Sequence, residues 1–161
     1  MTDPIIRPAG PEDVPTLLTL IRELAAYERL SDAVVATEAD LLRHGFGKTP
    51  RFFARLAEID GRPAGFTLSF HTYSTFLGRT GLYLEDFFVA EWARGHGLGR
   101  KLIADLAAFA VESGAERLDL SVIDWNPARG FYEKLGLRQN EGWLPYRISG
   151  ADLIRLAAGS R

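Results

Sequence analysis

The chain has 161 residues, 47% of them hydrophobic and 25% charged, the balance of one soluble globular domain and not of a disordered or fibrous chain. A formal net charge of -2 provides no global basic field for nucleic acid or an anionic membrane, while a local basic cluster for an anionic cofactor stays compatible with it. The sequence contains no cysteine, which excludes disulfides, thiolate metal sites and a cysteine acyl-enzyme.

Strands and helices interleave along the chain. Met1-Thr2-Asp3-Pro4 lacks the basic-then-apolar pattern of a secretory signal, and charges break every apolar run well short of a membrane span, so a cytoplasmic protein is expected. Ile5 to Arg7 reads as a short strand. Pro11-Glu12-Asp13 then opens a helix whose apolar positions Val14, Leu17, Leu18, Ile21 and Leu24 keep helical spacing. Thr37 caps a second helix that leads into Leu41 and Leu42. Residues Phe52 to Ile59 and Ala64 to Phe70 are strand-like, and Asp60-Gly61 between them is a hairpin turn signal. Leu82 to Val89 follows a turn at Gly78 to Gly81, and Gly97 to Val111 is an amphipathic helix ended by Ser113-Gly114. Leu118 to Ile123 reads as a strand, Pro127 to Leu135 as a short helix, Trp143 to Ile148 as a last strand, and Ser149 as the cap of a terminal helix. Without repeats or a linker, the pattern predicts one α/β (α+β) domain over 1–161, with a mixed, mostly antiparallel sheet flanked by helices.

The most informative stretch runs from Phe87 to Arg100. A buried strand enters a short loop, then Arg94-Gly95-His96-Gly97-Leu98-Gly99-Arg100, then a helix. Glycines let backbone approach a ligand, and a helix start offers unpaired N–H groups to phosphate oxygens. Arg94, Arg100 and Lys101 add positive charge, so the expected ligand is a pyrophosphate. A dinucleotide fingerprint fails, because it needs a small residue where Arg100 or Leu102 stands. Gly47-Lys48-Thr49 ends like a P-loop, but Leu42 occupies the position of the first glycine. No Gly-x-Ser-x-Gly elbow is present.

Arg-x-x-Gly-x-Gly directly after a strand resembles the coenzyme A signature of the GCN5-related N-acetyltransferase (GNAT) superfamily. The likeness extends to Glu23-Leu24-Ala25-Ala26-Tyr27-Glu28, Gly45-Phe46-Gly47, Tyr83-Leu84-Glu85-Asp86-Phe87-Phe88-Val89, Trp125-Asn126 with Phe131-Tyr132, and Glu141-Gly142-Trp143. Together these are similar to the diamine (spermidine/spermine) and thialysine N-acetyltransferase branch. That resemblance implies a GNAT-like fold, acetyl-CoA as cosubstrate, a small cationic amine as acceptor, and a homodimer.

The residues fit that chemistry. With neither cysteine nor a serine elbow, direct attack by the bound amine is expected in place of a covalent enzyme intermediate. Glu85 and Asp86 stand where the strand enters the cofactor loop, and the branch resemblance makes Glu85 the proton acceptor. It makes Tyr132 the general acid; a phenol of pKa about 10 is protonated at neutral pH and can donate to a departing thiolate. Phe87, Phe88 and Val89 are expected along the cofactor, with the oxyanion donor a backbone N–H near Phe88 or Val89 at a strand bulge. Asn126 is assigned to the pantetheine arm, and Lys134 and Arg129 to the phosphates. Tyr27, Glu28, Asp86, Glu141 and Trp143 are the expected amine-pocket residues beside Glu85. Ser74-Thr75-Phe76 after Tyr73 depart from the polyamine members, and so does the ending Gly159-Ser160-Arg161 in place of an acidic tail. A short acceptor such as thialysine, lysine or a diamine is therefore at least as compatible as spermidine. His44, His71 and His96 have no metal-ligand spacing, so no metal is assigned. Two other readings stay open: a non-catalytic CoA-binding module, and acetylation of a protein lysine or N-terminus.

Overall fold

The computed structural model describes residues 2–159, and Met1, Ser160 and Arg161 lie outside the described residues, with part of the expected chain ends. The chain divides into two compact units, one running to Asn126 and one starting at Pro127.

The first unit is a five-stranded sheet in the order β1-β2-β3-β4-β5, made of Ile5–Pro8, Phe53–Ile59, Arg62–Ser74, Arg79–Val89 and Leu118–Leu120. The first four strands pair antiparallel and β5 joins β4 in parallel. The expected Asp-Gly turn joins β2 to β3, with Asp60 and Gly61 both left-handed (φ 51° and 73°) as a two-residue hairpin requires.

Helix α1, Val14–Tyr27, follows one turn of tighter helix at Pro11–Asp13. Asp13 accepts the Gly10 N–H at 2.8 Å and the Arg7 guanidinium at 2.7 Å, so the acidic entry fastens the helix to β1. Leu17, Leu20 and Leu24 pack on Leu56, Phe66, Leu68 and Phe88, which covers one face of the sheet. Helix α2, Glu38–Gly45, carries the expected cap, with the Asp40 N–H donating to the Thr37 hydroxyl. Helix α3, Leu98–Glu112, covers the other face, where Leu98 and Leu102 meet Ala57, Ile59 and Ala64.

The second unit holds α4, Ala128–Lys134, and α5, Gly150–Ala158. Gly136 (φ 98°) stops the chain after α4, as its sequence predicts.

Three expectations are corrected. The turn before β4 lies at residues 75–78, and Gly81 is inside the strand. The strand expected at Leu118 to Ile123 ends at Leu120. Trp143 to Ile148 forms no strand. Its alternation is strand-like, but a strand exists only through a ladder partner, Pro145 has no N–H to give one, and Trp143, Leu144 and Tyr146 stand largely in solvent.

Candidate active site

Strands β4 and β5 part company at one point. Leu82, Tyr83 and Leu84 pair with Leu118, Asp119 and Leu120, after which β5 ends and β4 continues to Val89 along β3. At that point the β3–β4 register slips, with Leu68 opposite Asp86 and Ser69 opposite Leu84. Glu85 is thus the extra residue of a β-bulge, which resets the alternation of side chains and bends the strand. The expected bulge is therefore present, three to four residues before Phe88 and Val89.

The bulge separates the two neighbouring carboxylates. Glu85 is exposed, whereas Asp86 is half-buried. Burial, then the charges of Glu85 and Glu28, push the Asp86 carboxyl up to about 6. Burial also raises Glu28, which stands at the end of α1 near enough to act on Asp86. The expected acidic residues Glu28, Glu85 and Asp86 are thus brought together. The one whose charge is made costly is Asp86, a distinction that adjacent positions in a strand pattern do not reveal.

Beyond the bulge the backbone offers donors. Ala90 donates its N–H to the Ala64 carbonyl at 2.9 Å, which fixes the residue facing β3; alternation then turns the Val89 N–H toward the open edge. Phe88 is buried in the core against α1, and Phe87 and Val89 are half-buried.

The loop that follows is built for close approach. Gly95 and Gly97 have φ of 82° and 78°, and a β-carbon on either would meet no neighbour. The backbone angle, not crowding, demands glycine at both positions. No side chain caps α3, so its first N–H groups stay available beside the loop. Leu98 is 2% exposed and anchors the helix start in the core. Gly99 is half-buried, and His96 and Arg100 are exposed. Of the three expected cations, Arg94 folds back toward α1. Its Nε donates to the Val89 carbonyl at 3.0 Å, and its guanidinium lies 4.8 Å from the Tyr27 ring centroid. Lys101 pairs with Asp3 at 2.9 Å. Tyr27 thus touches the glycine-rich loop through Arg94, a contact that sequence spacing did not suggest.

Asn126 is buried, its N–H bonded to the Ile123 carbonyl at 2.9 Å, and closes the connection after β5. Next to it Trp125 carries the guanidinium of Arg29 over its ring, 4.9 Å from the centroid. Arg29 was missed in the sequence; its place directly after Glu28 was the available signal.

In the second unit Tyr132 is half-buried on α4, its ring 5.4 Å from that of Phe131. Lys134, Glu141 and Trp143 are exposed there. Among the described residues there is no cluster of metal-ligating side chains, and no helix is long and apolar enough to cross a membrane.

Residues 17–137 match the model of the acetyltransferase (GNAT) family. Thialysine N-epsilon-acetyltransferase of Bos taurus is 41% identical, with 95% of this chain and 96% of that protein aligned. L-ornithine N5-acetyltransferase NATA1 of Arabidopsis thaliana is 31% identical over 90% of this chain and 84% of that protein. Among solved structures, an integron cassette protein from the mobile metagenome of V. cholerae superposes with a TM-score of 0.80 and 26% identity, covering 98% of this chain and 99% of that one.

Proposed function

This chain belongs to the acetyltransferase (GNAT) family and is an acetyl-CoA-dependent amine N-acetyltransferase; we propose that it acetylates a small cationic amine directly, without a covalent enzyme intermediate. The observation that carries this reading is the half-buried Asp86 carboxylate at the bulge, directly before an open strand edge that leads into an uncapped helix. One end of this arrangement suits an ammonium and the other a pyrophosphate.

The residues present fit acetyl-CoA. The Gly95–Gly99 backbone and the first N–H groups of α3 would hold the pyrophosphate, and the open edge of β4 with Asn126 would hold the pantetheine arm. Acetyl-CoA supplies the activated acetyl group as a thioester. Glu28, Glu85 and Asp86 attract the ammonium. A carboxylate of pKa near 6 takes a proton close to neutral pH more effectively than one at the ordinary value, so Asp86 competes with Glu85 for the role of base. The Val89 N–H donates to the charge that builds on the acetyl oxygen. Tyr132 gives the departing sulfur its proton, and Tyr132→Phe should lower kcat at least ~100-fold with little change in acetyl-CoA affinity.

The proposal includes one N-acetyltransferase domain spanning 1–161, since the family match crosses from the first unit into the second. It also includes the roles of Lys134, Glu141 and Trp143 as the branch resemblance assigns them, a cytoplasmic location, and a homodimer. The exposed, strand-like Trp143–Ile148 segment, which pairs with nothing among the described residues, supports the dimer.

Thiol release from acetyl-CoA with thialysine, lysine, putrescine, spermidine and a basic peptide tests the function. Release with a small amine is expected. Release with the peptide alone would shift the target to proteins, and binding without release would leave a CoA-binding module.

A further inference from the structure

Helix α1 ends in a conformation that its residue does not favour. Leu30 donates its N–H to the Ala25 carbonyl at 2.8 Å and Arg29 to the Ala26 carbonyl at 3.1 Å, the paired closure that forces the residue after the cap into the left-handed region. That residue is Arg29, with φ of 61°. At other helix boundaries of this chain glycine takes such angles: Gly97 before α3, Gly114 after it, Gly136 after α4. A β-carbon is strained there and glycine is not.

What the arginine supplies is its guanidinium, seated over the exposed ring of Trp125 in the connection after β5. The guanidinium sits over that ring, with its carbon 4.9 Å from the centroid. Its N–H donors lie in the plane and point outward as a rigid fork, the geometry that matches a carboxylate. Among the described residues Arg29 forms no ion pair, and it is not among the charges that act on Asp86. Arg29 follows Glu28 directly in the chain, and Glu28 is one of the acidic group formed with Glu85 and Asp86.

We propose that Arg29 is a specificity-determining residue that binds the carboxylate of an amino-acid acceptor. The inference rests on the amine-acetylating function above. The acidic group takes the ammonium end and the guanidinium fork takes the carboxylate end. A diamine has nothing to offer the fork, and its second ammonium is repelled by it.

The test compares lysine, thialysine and ornithine with their methyl esters, using wild-type protein, Arg29→Gly and Arg29→Gln, together with thermal unfolding of all three. Wild type should favour each free acid over its ester by about tenfold or more in kcat/KM, the scale of one charge-assisted hydrogen-bonded pair. Both variants should lose that preference, mostly through KM. Arg29→Gly should melt no lower than wild type, because it relieves the backbone while removing the fork; Arg29→Gln keeps the backbone and removes the charge. Equal use of acid and ester by wild type would overturn the proposal while leaving acetyl transfer intact, as would a preference that survives both substitutions. Turnover of none of these compounds, nor of any diamine, would overturn the amine-acetylating function and the role of Arg29 with it.

Discussion

The two halves of β4 are one continuous strand with opposite obligations. From Leu82 to Leu84 it has β3 on one edge and β5 on the other, and its apolar side chains Leu82 and Leu84 are 0% and 2% exposed. From Glu85 to Val89 one edge is open, a bulge breaks the register, and a carboxylate is half-buried. The first half satisfies every usual rule for a stable strand and the second breaks three of them. Departures of this kind gather where function needs backbone donors and a perturbed charge.

That contrast can be broken by exchanging the obligations. The largest effect is expected from Val89→Pro, which removes one N–H from the open edge, a position where a strand tolerates proline. It should lower kcat by ~10² to 10³-fold, the usual loss for one oxyanion donor, with unfolding little changed. If kcat held, the open edge would have no part in catalysis.

Asp86→Asn comes next and should cut kcat/KM by about 10²-fold and abolish the fall in rate as pH drops through about 6. Its stability effect has the opposite sign. The Asp86 carboxyl is raised in the folded state, so the folded protein binds more protons than the unfolded chain between the ordinary carboxylate value and about 6. Stability is therefore lost as pH rises through that window. The amide should unfold at higher temperature than wild type at pH 7, by up to about 3 kcal/mol in stability and less if solvent reaches the group. Glu85→Gln should retain far more activity if Asp86 is the base; the reverse ranking would return that role to Glu85. In the other half, Leu84→Ala should cost about 2 to 5 kcal/mol of stability, measured by denaturant unfolding, and leave turnover per folded molecule nearly unchanged.

The two halves also differ in how legible they were. Leu82 to Leu84 read as strand because a buried apolar run needs only its own residues to announce it. The glycine loop was legible for a similar reason, since Gly95 and Gly97 are demanded by local backbone angles and α3 begins beside them. The Thr37 cap and the Asp60-Gly61 turn are local in the same sense. The bulge at Glu85 was not placed, because it depends on how β3 and β4 are matched across a hairpin. The Trp143 to Ile148 segment failed for the related reason that alternation describes a face and supplies no partner. Arg29 escaped notice because nothing in a helix pattern says that an arginine, where glycine is easier, holds a left-handed angle and lies over the ring of a residue almost a hundred positions away.

The smallest effect sharpens the comparison most finely. Three causes raise the Asp86 carboxyl, burial first, then the charge of Glu85, then that of Glu28. Glu28 caps the end of α1, outside the strand, and its own carboxyl is raised by burial. Glu28→Gln removes the third cause and leaves the strand untouched, so the acid limb of the rate profile should move to lower pH by a fraction of a unit. It should also raise KM for the amine, since one anion that attracts the ammonium is gone. A Glu85→Gln change should shift the limb in the same direction and somewhat further. If neither change moved it, the Asp86 environment would be set by burial alone. The bulge would then act by withdrawing the carboxylate from water and not by gathering charge around it.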